Sequence, residues 1–447
     1  MRALTAPEGG TPPLIDSEDS LRNALARLAK GAGPLAIDAE RASGFRFSSR
    51  AYLIQIYRRG GGLHLIDPIP LQGLDVVSEL NEFIQSCEVV IHASTQDLPC
   101  LREWGLFPTQ LFDTELGARI AGLERVGLAP LCESLLEISL AKEHSAVDWS
   151  SRPLNSEWLD YAALDVEVLL DLRDKIETIL RDSKKLDYAR QDFAAILRAP
   201  EPQPKSEPWR RTSGMHLIKG RYELAIIREL WQIRHQIAQD VDIAPGRLFS
   251  DSIIVDIARY KPGNKSDFLN LPSVKMRIKH ERLRDRVDLW WSQIEKSYAI
   301  PEEQWPQMRG RGEGLPPVRI WKDKYRLAYA HLTHARAGLL EISQTHSIPV
   351  ENLLTPELVR RVVFDQGNEQ GHRYSTELVE SVSRQLRDGG ARDWQISLSA
   401  EMLARSLTLD KPLPPPQPPA PPPAPPSTES ATAAESVDSQ ANSAPEE

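Results

Sequence analysis

The stretch Leu35–Phe45, LAIDAERASGF, ends a short apolar run on two acids, Asp38 and Glu40. Runs this short read as buried strands, and residues two apart on a strand point to the same face. Buried carboxylates are costly unless a positive charge neutralises them. A second apolar run, EVVIHA (88–93), leads into STQDL and places Asp97 at the start of a helix. A third stretch, YAALD, sets Tyr161 and Asp165 four residues apart, on one face of a helix. Singly, each has an ordinary explanation: a strand-end turn, a first-turn acid favoured by the helix dipole, a helix face at the edge of a core. Together, four carboxylates on three elements are a set that hard divalent cations such as Mg2+ or Mn2+ accept, with water and phosphate oxygens completing the shell. Two such ions about 4 Å apart can activate a water and stabilise the leaving oxygen of a phosphodiester.

The elements that must position these acids alternate between residues 34 and 182. Strand-like runs are PLAIDAE (34–40), YLIQIY (52–57), LHLIDP (63–68), EVVIHA (88–93) and QLFDT (110–114). RRGGG (58–62) is a hairpin turn, because glycine supplies the positive φ such turns need, so the first three strands are expected antiparallel. Helices are predicted over 74–86, 94–105, 113–122 and 155–182. Strands that meander and then alternate with helices predict an α/β domain, a mixed sheet flanked by helices, over 1–200. A proline-rich linker (201–218) precedes a helical unit at 219–300, and a second linker (301–324) precedes a related unit at 325–408. Both units read as a long helix, a proline turn and a short helix entered at a Ser/Asp or Thr-Pro cap, a divergent repeat. The polyproline and acidic small-residue stretch 409–447 cannot bury apolar surface and is expected to be disordered.

A strand ending DxE, a strand ending HxxxxD and a helix carrying YxxxD, in that order, resemble the DEDD family of 3′–5′ exonucleases. The likeness is to its tyrosine subclass and, within that, to the ribonuclease D family. LIDP (65–68), FDT (112–114) and DWSSRPLNSEWLDYAALDVEVLL (148–170) belong to the same resemblance. LWQIRHQIAQDVDIAPGRLFSD makes the first helical unit similar to the HRDC module (helicase and ribonuclease D C-terminal), and the second unit resembles it more weakly. The one departure from the usual pattern is Ala39 in the variable middle of DxE, where threonine is frequent in relatives.

The resemblance implies an RNase H-like first domain and a two-metal exonuclease acting on RNA 3′ ends, such as those of tRNA precursors. Nucleoside 5′-monophosphates would be released. Asp38 would bridge both ions, Glu40 and Asp165 complete the one nearer the nucleophile, and Asp97 hold the second. Tyr161 would orient the attacking water; with an ordinary pKa near 10 it is a poor general base. His92 matches the histidine of HxxxxD, as a substrate contact or as a strand-closing residue bonded to backbone. Gln55 and Lys142 are further substrate candidates, with a structural role favoured for Gln55 and a solvated loop the alternative for Lys142.

Net charge is −9 overall but uneven. Residues 1–200 carry −9, 205–340 carry +9 and 341–447 carry −8, the asymmetry expected when one segment holds a polyanion. Lys261, Lys265, Lys275, Arg277 and Lys279 are the candidates to track an RNA backbone. Trp290 and Trp291 are candidates to stack bases, although at helical spacing at least one belongs in a core. The three cysteines form no CxxC pair, which argues against a zinc site or disulfide framework. No apolar run of membrane-spanning length and no secretory leader is read, so a cytoplasmic protein is expected, and a monomer, since the helical units can fold around the first domain without a partner chain. A single-strand DNA exonuclease and a catalytically silent RNA-binding scaffold are the competing readings; retention of all four acids and the tyrosine argues against the second.

Overall fold

The computed structural model describes residues 2–140, 147–201, 206–279, 281–308, 314–367 and 371–409. Lys142 and the proline-rich tail from 410 onward lie outside the described residues. A six-stranded mixed sheet organises the first domain. Its strands are β2 (Leu14–Ile15), β3 (Leu35–Arg41), β4 (Ala51–Arg58), β5 (Gly62–Ile66), β6 (Glu88–Ile91) and β7 (Gln110–Asp113), in the order β2-β5-β4-β3-β6-β7. β3, β4 and β5 pair antiparallel, as the glycine turn predicts, with Gly60 and Gly62 at φ +75° and +85°. β6 and β7 extend the sheet in parallel beyond β3. A separate parallel pair joins β1 (Arg2–Leu4) to β8 (Ile138–Leu140).

The sheet's central register sets the chemistry. Ile37 and Ala39 of β3 lie opposite Ile56 and Ile54 of β4, and all four are buried in the main core. The alternation therefore turns Asp38 and Glu40, opposite Gln55 and Leu53, to the other face. Helices α1 (Glu18–Leu28), α2 (Asp75–Gln85), α3 (Leu98–Trp104), α4 (Thr114–Ala121), α5 (Leu128–Leu131), α6 (Ser156–Glu167), α7 (Leu169–Asp182) and α8 (Leu186–Arg198) complete the domain. The helix predicted over 155–182 is two helices, α6 and α7, meeting at Val168. α6 covers the acidic face of the sheet through Ala162 and Ala163, which pack on Leu53 and Leu65. Side chains this small let the helix ride close to the strands.

Two helical units follow, each with its own core. The first opens with the long α9 (Arg221–Asp240), followed by helices at Pro245–Leu248 and Asp251–Tyr260. The second repeats that order at Arg326–His346, Val350–Leu353 and Pro356–Gly367. Parts of both expected linkers are packed: Trp209 and Ile218 are buried in the first unit's core, and Trp321 is buried in the second's. Trp305 lies against Tyr222 at 5.0 Å. Large apolar side chains so close to a core are drawn into it.

Each unit docks on the first domain. The first grips the loop that leaves β3: Ala244 N–H donates to the Phe45 carbonyl (3.0 Å), Ser48 N–H to Asp242 (2.8 Å) and Arg247 Nε to the Gly44 carbonyl (2.6 Å). The Arg247 guanidinium also lies 3.9 Å over the Phe45 ring. The second docks on α8, where Trp394 stacks on Tyr188 at 4.8 Å and Arg392 pairs with the buried Asp192 at 2.5 Å. Among the described residues no helix is long and apolar enough to cross a membrane.

Candidate active site

The acids of three separate motifs converge on one cleft of about 340 Å3, whose lining includes Asp38, Glu40, His92, Asp97, Tyr161 and Asp165. Oxygens of Asp38, Glu40 and Asp165 all fall within 4.8 Å of one another. β3 delivers Asp38 and Glu40, and α6 lowers Asp165 onto them, one turn after Tyr161. The start of α6 is fixed from both sides. Asn155 caps it by accepting from Glu157 N–H (2.8 Å), and the preceding Arg152 grips Asp67 with two hydrogen bonds of 2.7 and 2.8 Å.

Asp97 arrives by a tight turn between β6 and α3. Ala93 holds φ +55°, and Ser94 gives both its N–H (2.8 Å) and its hydroxyl (2.6 Å) to one oxygen of the buried Asp113. The other Asp113 oxygen caps α4 through Leu116 N–H at 3.0 Å. One carboxylate thus ties the FDT segment to the turn that presents Asp97. His92 reaches the cleft from the same turn with its Nδ1 on the Thr114 hydroxyl at 2.9 Å. Burial lowers its pKa and favours the neutral ring.

Electrostatically, the cleft holds more negative charge than it can keep without a cation. Burial, reinforced by the neighbouring acid Asp38, pushes Asp97 and Asp165 each up to about 8. Burial likewise raises Asp38, and lifts Glu40 well above the carboxylate range with the charges of Asp38, Asp165 and Asp97 added. Burial and the adjacent Asp165 raise the Tyr161 phenol, which hydrogen-bonds the Asp165 carboxylate and stays protonated. An all-oxygen donor set, closely spaced and short of positive charge, fits divalent cations of the Mg2+ or Mn2+ kind.

The structure adds residues that sequence reasoning missed. Arg41 approaches Asp97 (Nη2 to Oδ1, 3.7 Å), turned there by a register shift between Glu40 and Arg41 in the β3–β4 pairing. Leu128, Ala129, Leu140 and Leu169 form an apolar side of the cleft. Arg41 follows DxE directly, but nothing in a sequence announces a bulge.

Other candidates fall elsewhere. Gln55 is fully buried and is not among the residues that line the cleft. In the first helical unit Lys275, Arg277 and Lys279 are exposed, whereas Lys261 is held by Glu223 (2.7 Å) and Lys265 by Asp288. Trp290 is a core residue stacked on Phe249 at 4.2 Å, and Trp291 is half-buried beside Phe268.

Fold and site together define a 3′–5′ exonuclease, and residues 12–181 match the 3′-5′ exonuclease family. Residues 223–284 match the HRDC domain, and 314–407 the 3′ to 5′ exonuclease C-terminal domain. Ribonuclease D of Escherichia coli (strain K12) is 26% identical over 357 residues, 78% of this chain and 89% of that protein. Ribonuclease D of Pseudomonas paraeruginosa is 28% identical over 290 residues, 63% of this chain and 73% of that protein. The crystal structure of a Bifidobacterium adolescentis protein superposes with a TM-score of 0.80 at 34% identity, covering 91% of this chain and 99% of that one. The E. coli RNase D structure, described as an exoribonuclease involved in structured RNA processing, has the same fold, with a TM-score of 0.61 at 23% identity over 88% of this chain and 98% of its own. This chain belongs to the ribonuclease D family and is a 3′–5′ exoribonuclease.

Proposed function

We propose that the cleft removes nucleotides one at a time from the free 3′ end of structured RNA precursors, tRNA 3′ ends among them, releasing nucleoside 5′-monophosphates. The observation that carries this reading is the convergence of four acids and a tyrosine, drawn from three motifs, on one cleft. Asp38, Glu40, Asp97 and Asp165 would hold two divalent ions. When bound, such ions acidify an attacking water and neutralise charge on the phosphate and the departing 3′ oxygen.

The chain's own groups divide the remaining work. The protonated Tyr161 hydroxyl, beside Asp165, orients the attacking water and takes no proton from it. Arg41 limits repulsion at Asp97 while the acids await cations. Neutral His92 faces the terminal nucleotide, whose base and ribose rest on Leu128, Ala129 and Leu140. The exposed Lys275, Arg277 and Lys279 follow the RNA backbone away from the cleft.

A 5′-labelled single-stranded RNA with a free 3′ hydroxyl, incubated with Mg2+ or Mn2+, tests this reading. The expected result is a ladder shortening from the 3′ end, absent with EDTA and with Asp38→Asn. RNA left intact, or cut in the presence of EDTA, would overturn it.

A further inference from the structure

Beside the acids, on the neighbouring strand, lies a polar side chain that the metal-binding reading has not used. Gln55 sits in the middle of β4, opposite Asp38 on one side and Leu65 on the other. Directly opposed residues on antiparallel strands share a face, with Cβ atoms about 5 Å apart. Gln55 is 0% exposed, and neither its amide nitrogen nor its amide oxygen has a hydrogen-bond partner among the described residues. Trp149 Nε1, in the cluster that Leu53 and Leu65 share, is likewise a buried donor without a partner among the described residues, so it could at most serve the amide oxygen and leaves the Gln55 N–H unanswered. An amide without partners in an apolar setting costs free energy that methionine or leucine of similar size would not. The space beneath α6 is otherwise lined by Leu53, Leu65, Ala162 and Ala163. That apolar lining offers no acceptor for the amide N–H.

We propose that Gln55 is a positioning residue for the metal ligands, its amide N–H steadying the Asp38 carboxylate from the sheet side when the cleft side binds cations. The inference rests on the metal-binding reading above. Carboxylates that bind metal are themselves held by hydrogen bonds from behind, and loss of such a partner typically weakens metal affinity 10- to 100-fold. Asp38 lines the cleft and Gln55 stands beside it in register on the same face of the sheet, which puts the amide N–H within reach of the carboxylate. Gln55 then has a partner in the loaded protein that it lacks in this structure.

The test is a Mn2+ titration of the full chain by calorimetry, with the wild type, Gln55→Met, Gln55→Leu and Asp38→Asn. Gln55→Met and Gln55→Leu are expected to bind Mn2+ 10- to 100-fold more weakly. Their thermal stability in EDTA should be unchanged or higher, because an unpartnered amide has been removed. Wild-type Mn2+ affinity in both variants would overturn the proposal while leaving the metal site standing. So would a loss of stability in EDTA as large as that in Mn2+, which marks a packing role. A wild type that binds no Mn2+, or an Asp38→Asn that binds as well as wild type, overturns the metal site and this proposal with it.

Discussion

Tyr161 and Asp165 form the pair on which the chemistry of the cleft turns. The phenol is kept protonated and bonded to Asp165, so in the proposed reaction it would aim a water and not accept a proton. Tyr161→Phe should therefore bind Mn2+ as the wild type does yet lose kcat by about 100-fold, the scale of a misplaced nucleophile. Equal losses of affinity and rate would contradict it. The acids also predict a pH dependence of the metal-free protein. An unfolded aspartate titrates near 4, whereas Asp97 and Asp165 are pushed up to about 8. Between those values the folded chain retains protons that the unfolded chain has shed, so the stability they give is complete below pH of about 4 and is lost as pH rises through about 8. Thermal melts in EDTA are expected to show Tm falling across that window, with added Mg2+ opposing the fall. A rising Tm in EDTA would refute the assignment.

The elements show which parts of this site can be read without a structure. DxE, HxxxxD and YxxxD are visible because each puts its acid on a short element of clear period, and β3 and α6 follow that period closely. What positions those acids is less visible. The turn before α3 depends on Asp113, 16 residues beyond Asp97, and only the pairing of β6 with β7 brings the two together. The shift that turns Arg41 toward Asp97 belongs to the β3–β4 pairing and has no local signal. β1, β2 and β8 are two or three residues long, too short to show alternation. The helix predicted over 155–182 hides the break at Val168, because its apolar residues keep helical spacing on both sides. Asp113→Ala is expected to lower stability by about 1–3 kcal/mol, the cost of orphaned buried donors, and to weaken Mn2+ binding with it. Urea unfolding with and without Mn2+ measures both; unchanged binding would show that the Asp97 turn holds without Asp113.

In the whole molecule, the sheet domain carries the acids, and the excess of positive charge is spread over residues 205–340, the first helical unit among them. Charge reversal at Lys275 and Lys279 should weaken RNA binding about equally across sequences and reduce the dependence of log affinity on log salt by about 1 or more. An unchanged salt slope would place the RNA path elsewhere. The prolines of 201–218 and 301–324 read as linker, yet Trp209, Trp305 and Trp321 anchor parts of those stretches to cores that assemble only once the whole unit has folded. The grip of Asp242, Ala244 and Arg247 on the loop after β3 has a consequence in time. A ribosome adds roughly 5–20 residues per second, so Arg247 is made several seconds after Asp165. For that interval the growing chain holds every acid of its cleft while the strand-to-loop junction beside Glu40 is still unclamped. The order of synthesis thus sets the clamping of that loop after the last acid of the cleft.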